Sequence, residues 1–567
     1  MESTGRYAIL RQFIADDMTL MFGNPGTVEQ GFLDALEDFP ELNYILTLQE
    51  SVAVLCADGY ARATQKPTLV QLHSSPGIGN AVGALYQAKR GHSPLVVIAG
   101  DAGLRYMNMD AQMAADLVAI MEPVTKYATM VLDPRNLLRT LRRAIKIAAT
   151  PPMGPVYVCL PADVLDAVNE EPVFPSCIPQ TRVRPDETLI EQAVAMLANA
   201  EHPMIFIGDG VAWSGAGKAL QKLAELWGAE IWGADSGDLN VDTTHPCYQG
   251  LSGHMFGSQS LPLTRQGDAV LIVGTYMLPE VFPELGEIFD PKAKVVHFDL
   301  NAYEIAKNHR VDLGVVCDPR CGLEALTVGL GMHMGIETKT RAALRFQVMQ
   351  AAKTKTTGQQ QDQDRKQAAS ETVTMEAFAA ELAQRLPEDA IIFDEALTHS
   401  AALNRAIPPK MSGAYFCTRG GSLGVGVPGA IGAKLAYPKR SVVGFSGDGG
   451  SMYTIQALYT AAKYQLDVLF VICHNERYRL LDLNIQHYWQ EQEIPVHQLP
   501  TPFDLSNPCL GFVDMAVGMG MSGVQITHSA EIPNALDQAL STQGPFLIDL
   551  LLPETSQDHQ PGCKCGQ

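Results

Sequence analysis

Ser441-Val-Val-Gly-Phe-Ser446 runs straight into Gly447-Asp-Gly-Gly450, and Val468-Leu-Phe-Val-Ile-Cys473 runs into His474-Asn475. Both apolar runs are nearly continuous, as strands covered on both faces of a parallel sheet must be. Between them, Thr454 to Tyr464 carries helical spacing. A glycine-rich turn between strand and helix lets backbone N–H groups come close to a phosphate, and the helix N-terminus adds favourable charge. Asp448 offers a hard oxygen. The carboxyl ends of neighbouring parallel strands lie side by side, which is where such sheets bind ligands. Asp448 and Asn475 are therefore expected to meet over one cation. Carboxylate, amide and diphosphate oxygens together make a magnesium site.

The same alternation of strand and helix spreads outward. Around this stretch, from Val373 to Pro553, Ala390 to Phe393 and Phe546 to Leu551 read as further strands. Near the start of the chain the strand candidates are Leu20 to Phe22, Leu69 to Leu72, Leu95 to Ala99 and Val156 to Leu160. Helical patterns at Ser51 to Arg62 and Asn136 to Ala149 fall between them. After a Pro- and Asp-rich break at Glu170 to Glu187, Pro203 to Gly208, Ala269 to Gly274 and Lys294 to Asp299 repeat the pattern. The expected fold class is α/β, with doubly wound parallel-sheet domains over 1–168, 188–333 and 373–555. Residues 334–372 read as an exposed, mobile linker, because Thr357 to Asp364 is poor in apolar side chains. Residues 556–567 read as a polar tail.

With 567 residues the chain is too long for a single core. Its net charge of −21 argues against a nucleic-acid or anionic-membrane partner, since both call for clustered Lys and Arg. Met1 to Gly5 shows no secretory signal, and no run of about 18 apolar residues suggests a membrane span. The eleven cysteines are scattered, which is not a disulfide framework. The expected compartment is the cytoplasm. Cys317 with Cys321, and Cys563 with Cys565 beside only His559, fall short of the four matched ligands of a zinc site.

Gly447-Asp-Gly449 followed by His474-Asn475 resembles the binding motif of thiamine-diphosphate (ThDP) enzymes, which usually closes on two asparagines. His474 stands where the first is usual, and Asn475, the metal ligand in that family, is kept. The resemblance is nearest to benzoylformate decarboxylase and its relatives. It is carried by Phe22-Gly-Asn-Pro-Gly-Thr27, Leu48-Gln-Glu50, Ala57-Asp-Gly-Tyr-Ala61, Leu72-His-Ser74 with Gly79-Asn80, and Gly154-Pro-Val-Tyr157. It spans the chain and is weak in the middle third.

That resemblance implies ThDP and Mg²⁺ as cofactors, with Asp448, Asn475 and the Arg477 carbonyl as metal ligands. Gly447, Gly449, Gly450, Ser451 and Tyr478 would contact ThDP, and Thr398 and Ser400 would help hold the diphosphate. Glu50 would exchange a proton with the cofactor's aminopyrimidine ring; read from its position alone, it is equally a helix-capping glutamate. Leu423 would support the bent ring, and the Gly421 carbonyl would accept from its amino group. Thr27 and His73 match positions facing the substrate. The middle segment Thr275 to Val281 has no histidine where the decarboxylase has one; Glu280 and His254 are the alternatives. The implied activity is non-oxidative decarboxylation of a 2-oxo acid through a C2-carbanion/enamine intermediate. A carboligase resembling acetolactate synthase is the alternative, and a non-catalytic regulatory subunit is less favoured. The family implies at least a homodimer, commonly a homotetramer. Some relatives hold FAD in the middle domain, but Gly208-Asp-Gly210 is too weak a signal to assign it.

Overall fold

The computed structural model describes residues 4–552 apart from 236 and 254. His254 and the Cys563/Cys565 tail thus lie outside the described residues. Three six-stranded sheets are present. The first comprises β1 (Leu20–Gly23), β2 (Asn43–Leu46), β3 (Thr68–Leu72), β4 (Leu95–Asp101), β5 (Tyr127–Met130) and β6 (Val156–Pro161), in the order β2-β1-β3-β4-β6-β5. The second comprises β7 (Pro203–Gly208), β8 (Glu230–Asp235), β9 (Tyr248–Leu251), β10 (Ala269–Val273), β11 (Lys294–Asp299) and β12 (Leu313–Val316), in the order β12-β11-β10-β7-β8-β9. The third comprises β13 (Ile391–Glu395), β14 (Tyr415–Cys417), β15 (Val442–Gly447), β16 (Val468–His474), β17 (Ser522–Ile526) and β18 (Phe546–Leu551), in the order β14-β13-β15-β16-β18-β17. Pairing is parallel throughout the first two sheets and from β13 to β17 in the third.

The chain forms two compact units. One holds the first sheet and the body of the third; the other, Gln180–Ala369 with Ala401–Phe416, holds the second. In the first unit, strand order reverses between β1 and β3 and again between β13 and β15. Such reversal points open a crevice at the carboxyl ends of the strands.

One helix contact positions the site. Glu50–Thr64 is buried along most of its length because Gly426–Ala436 packs across it. The approach is backbone on backbone: a Cβ on Gly59 would lie 2.2 Å from the Gly429 carbonyl oxygen, and one on Gly432 would lie 2.0 Å from that of Cys56. Only glycine fits there. Gly59→Ala is therefore expected to destabilise the protein by about 1–3 kcal/mol or more, as overpacking does. Denaturant unfolding of the two proteins checks this, and equal midpoints would refute the tight packing.

The second unit has its own core around Trp227, Leu271 and Phe298. The expected linker at 334–372 needs correction. Ile336–Ala368 is one 33-residue helix, docked on its own unit through buried Ala342 and Met349. Arg345 donates to the carbonyls of Gly228 and Trp227 at 3.0 and 2.7 Å. Its Lys, Gln, Arg and Ala residues are poor in apolar surface yet good helix formers. Composition reported exposure, not irregularity. No helix among the described residues is long and apolar enough to cross a membrane.

Candidate active site

The loop after β1 and the turn after β3 meet at the first strand reversal. Glu50 begins its helix there, 6% exposed. Asn24 Nδ2 donates to its Oε1 at 3.0 Å and Asn80 Nδ2 to its Oε2 at 2.9 Å. Both carboxylate oxygens are thus held by neutral amides, and the helix N-terminus favours the negative charge. A Cβ on Gly77 would come within 3.0 Å of Glu50 Oε1 and 3.2 Å of His73 Cβ. Glu50 and His73 are therefore neighbours, and Gly77 leaves them room.

His73 Nδ1 is hydrogen-bonded to Glu29 Oε2 at 2.8 Å. Glu29 is 3% exposed, and its Oε1 accepts from the Gly100 N–H at 2.8 Å. Burial pushes the Glu29 carboxyl above its usual range, while the bond and charge of His73 pull it back. A Cβ on Gly26 would overlap the His73 ring at 1.9 Å, so glycine is needed there. Thr27 is exposed on the short turn Thr27–Glu29. Beside this group opens a cavity of about 650 Å³. Val28, Ser74, Met107, Met113, Leu117 and Val118 line it together with the acidic Asp101, Asp110 and Asp116. Sequence reading missed Glu29, although it follows β1 as His73 follows the adjacent β3.

At the third sheet, Asp448 opens a short helix directly after β15 and is 3% exposed. Its Oδ1 accepts from the Gly449 N–H at 2.7 Å and its Oδ2 from the Asn475 N–H at 3.1 Å. Asn475 Oδ1 accepts from the Arg477 N–H at 3.1 Å. The Arg477 guanidinium is held by buried Asp482 at 2.8 and 2.9 Å, which fixes the turn. The Tyr478 ring lies over Gly449, where a Cβ would approach it to 2.4 Å. Asp448, after β15, and Asn475 with the backbone of Arg477, after β16, are thus brought together, with lone pairs to spare on both side chains. Burial pushes the Asp448 carboxyl up, while the surrounding backbone N–H groups and the charge of His474 pull it back. A carboxylate and an amide oxygen beside a backbone carbonyl suit a small divalent cation. Gly447, where a Cβ would meet nothing, leaves the turn open to a phosphate. These residues fit a metal–diphosphate group.

His474 proves structural. Its Nδ1 is hydrogen-bonded to Asp549 Oδ1 at 2.9 Å, and both side chains are 1% exposed. It ties β16 to β18. Burial pulls its imidazole down, but the hydrogen bond and charge of Asp549 outweigh this and leave it raised. Ser451 donates to the Asp448 carbonyl at 2.9 Å, and Ser400 to Asp394 Oδ1 at 2.8 Å. Thr398 sits half-buried on the turn Leu397–His399. Gly421 takes the left-handed conformation at φ 73°, and Leu423 is half-buried two residues on. In the other unit Glu280 is half-buried and accepts from the Ser260 hydroxyl; burial raises its carboxyl.

Three family models match: the N-terminal TPP binding domain of thiamine pyrophosphate enzymes over residues 3–120, their central domain over 190–326 and their C-terminal TPP binding domain over 398–550. Benzoylformate decarboxylase of Pseudomonas aeruginosa is 30% identical over 555 residues, covering 96% of this chain and 97% of its own. The large subunit of acetolactate synthase isozyme 3 of Escherichia coli is 28% identical, covering 95% of this chain and 92% of its own. The structure of a thiamine diphosphate-dependent 4-hydroxybenzoylformate decarboxylase of Rhodococcus jostii superposes with a TM-score of 0.83 at 25% identity, covering 98% of this chain and all of the other.

Proposed function

This chain belongs to the thiamine pyrophosphate enzyme family, and from that premise we propose that it decarboxylates a 2-oxo acid without oxidation, using ThDP and Mg²⁺. The observation that carries the reading is the Glu29–His73 pair, its glutamate buried, beside Glu50 and next to a cavity lined in part by methionines. Bound ThDP supplies a carbon nucleophile and a sink for the electrons that decarboxylation releases.

The chain's own residues do the rest. Asp448, Asn475 and the Arg477 carbonyl hold the metal, and the turn at Gly447, Gly449 and Gly450 receives the diphosphate. Leu423 would support the cofactor ring. Glu50, fixed by Asn24 and Asn80, gives and takes a proton at its carboxylate. The exposed Thr27 hydroxyl meets the substrate carboxylate. His73, held by Glu29 through Nδ1, keeps its other ring nitrogen for proton exchange with the product. Met107, Met113, Leu117 and Val118 make room for a bulky aromatic or branched side chain. The family resemblance implies that a second copy of the chain completes the site. A homodimer is the minimum, and a homotetramer fits the family.

A carboligase is the second reading, favoured by Thr275 to Val281 having no histidine and by the likeness to an acetolactate synthase subunit. A free aldehyde from a single 2-oxo acid supports decarboxylation, and a hydroxyketone supports ligation. His73→Ala is expected to lower kcat for aldehyde release about 100-fold, the lower end of general acid–base effects, with ThDP affinity unchanged. Glu29→Gln should act in the same direction and less strongly. A His73→Ala enzyme within twofold of the parent in steady-state assays would remove the pair from the reaction.

A further inference from the structure

Glu395 ends β13, the strand at the second reversal point, beside the metal-binding turn that follows β15. It is 1% exposed, and no Lys, Arg or His pairs with it among the described residues. Its Oε1 accepts from the Gly424 N–H at 2.5 Å. Its Oε2 accepts from the Gly426 N–H at 2.7 Å and from the Ser446 hydroxyl at 3.0 Å. A buried carboxylate without a cation is costly, so its donors must compensate for lost water. Burial pushes the carboxyl up to about 7, while those N–H and O–H groups pull it back.

What it grips gives the residue meaning. The turn carrying Leu423 contains Gly420, Gly421 and Gly424 at φ 63°, 73° and 79°, and three left-handed glycines do not select one shape unaided. Gly424 is held at both backbone groups: Glu395 takes its N–H, and the Thr454 hydroxyl donates to its carbonyl at 2.6 Å. Ser446 directly precedes Gly447 and Asp448. A Cβ on Gly450 would come within 3.0 Å of Glu395 Oε1, so the carboxylate also lies against the metal-binding turn. One side chain thus ties the Leu423 turn to the turn assigned to the metal and diphosphate.

We propose that Glu395 is a positioning residue that fixes Leu423 relative to the metal-binding turn and so presets the seat for the cofactor ring. This rests on the reading above that Leu423 supports that ring. Glutamine keeps the shape but turns an N–H toward donors that need an acceptor. In the cofactor-free full-length protein, amide exchange over 423–426 is expected to be about 10-fold faster in Glu395→Gln than in the parent, the effect of losing one charged hydrogen bond. ThDP affinity measured in the presence of Mg²⁺ should fall by about the same factor, and kcat should fall while KM for the 2-oxo acid stays within about twofold. Ser446→Ala removes one donor at little risk to folding and should give a smaller shift in the same direction in exchange and affinity. Unchanged exchange in either folded variant would overturn the proposal. So would faster exchange without any loss of ThDP affinity, or a KM that rises as far as kcat falls. A parent protein that fails to bind ThDP would instead sink the functional reading itself.

Discussion

Glu50→Gln is expected to lower kcat by about 10³–10⁴-fold, the upper range for removal of a general acid–base group, while leaving the fold intact. Among the described residues, Glu50 accepts from the side-chain amides of Asn24 and Asn80, at 3.0 and 2.9 Å. A glutamine of the same shape can keep both neighbours if one asparagine amide turns over. The packing of the helix around Gly59 and Gly432 does not involve the carboxylate. What glutamine cannot do is exchange a proton. The loss should therefore appear in kcat and, to the same extent, in the rate at which the C2 proton of bound ThDP exchanges with deuterated solvent. A variant within 10-fold of the parent in both would reduce Glu50 to a helix-capping residue.

Asp448→Ala should act on binding before it acts on turnover. It removes the carboxylate that meets Asn475, beside the Arg477 backbone. Apparent ThDP affinity in saturating Mg²⁺ is expected to fall by more than about 100-fold, since even outer-shell ligand changes cost up to that much. The cofactor-free protein should not be weakened comparably, because burial already disfavours the Asp448 charge there. Titration of ThDP into both proteins, followed by fluorescence, reads the first effect, and denaturant melts read the second. Retained affinity in Asp448→Ala would place the metal elsewhere.

Buried strands were plain in the sequence because they are continuous apolar runs: Val156 to Leu160 and Val468 to Cys473 lie within one residue of β6 and β16. Edge strands such as β5 (Tyr127–Met130) and β17 (Ser522–Ile526) are short and only partly buried, so no such run marks them. The helix expected from Thr454 begins at Ala457, after a separate short helix at Asp448–Ser451. The meeting of Asp448 and Asn475 was legible because their strands are adjacent and each residue directly follows an apolar run. Glu29 and Glu395 were not. Their partners are backbone N–H groups and a histidine brought in by tertiary structure, and a lone glutamate after a strand carries no such mark. His474, which breaks the usual motif, is explained by Asp549 on β18, 75 residues away.

The most direct test of the decarboxylase reading is the product. Purified protein with ThDP and Mg²⁺ would be given benzoylformate, pyruvate and a branched 2-oxo acid in turn, with carbon dioxide and organic products followed by NMR. Release of the matching free aldehyde, fastest from an acid with a bulky side chain, is the predicted result. A hydroxyketone formed without free aldehyde, or no turnover of any acid, would contradict it.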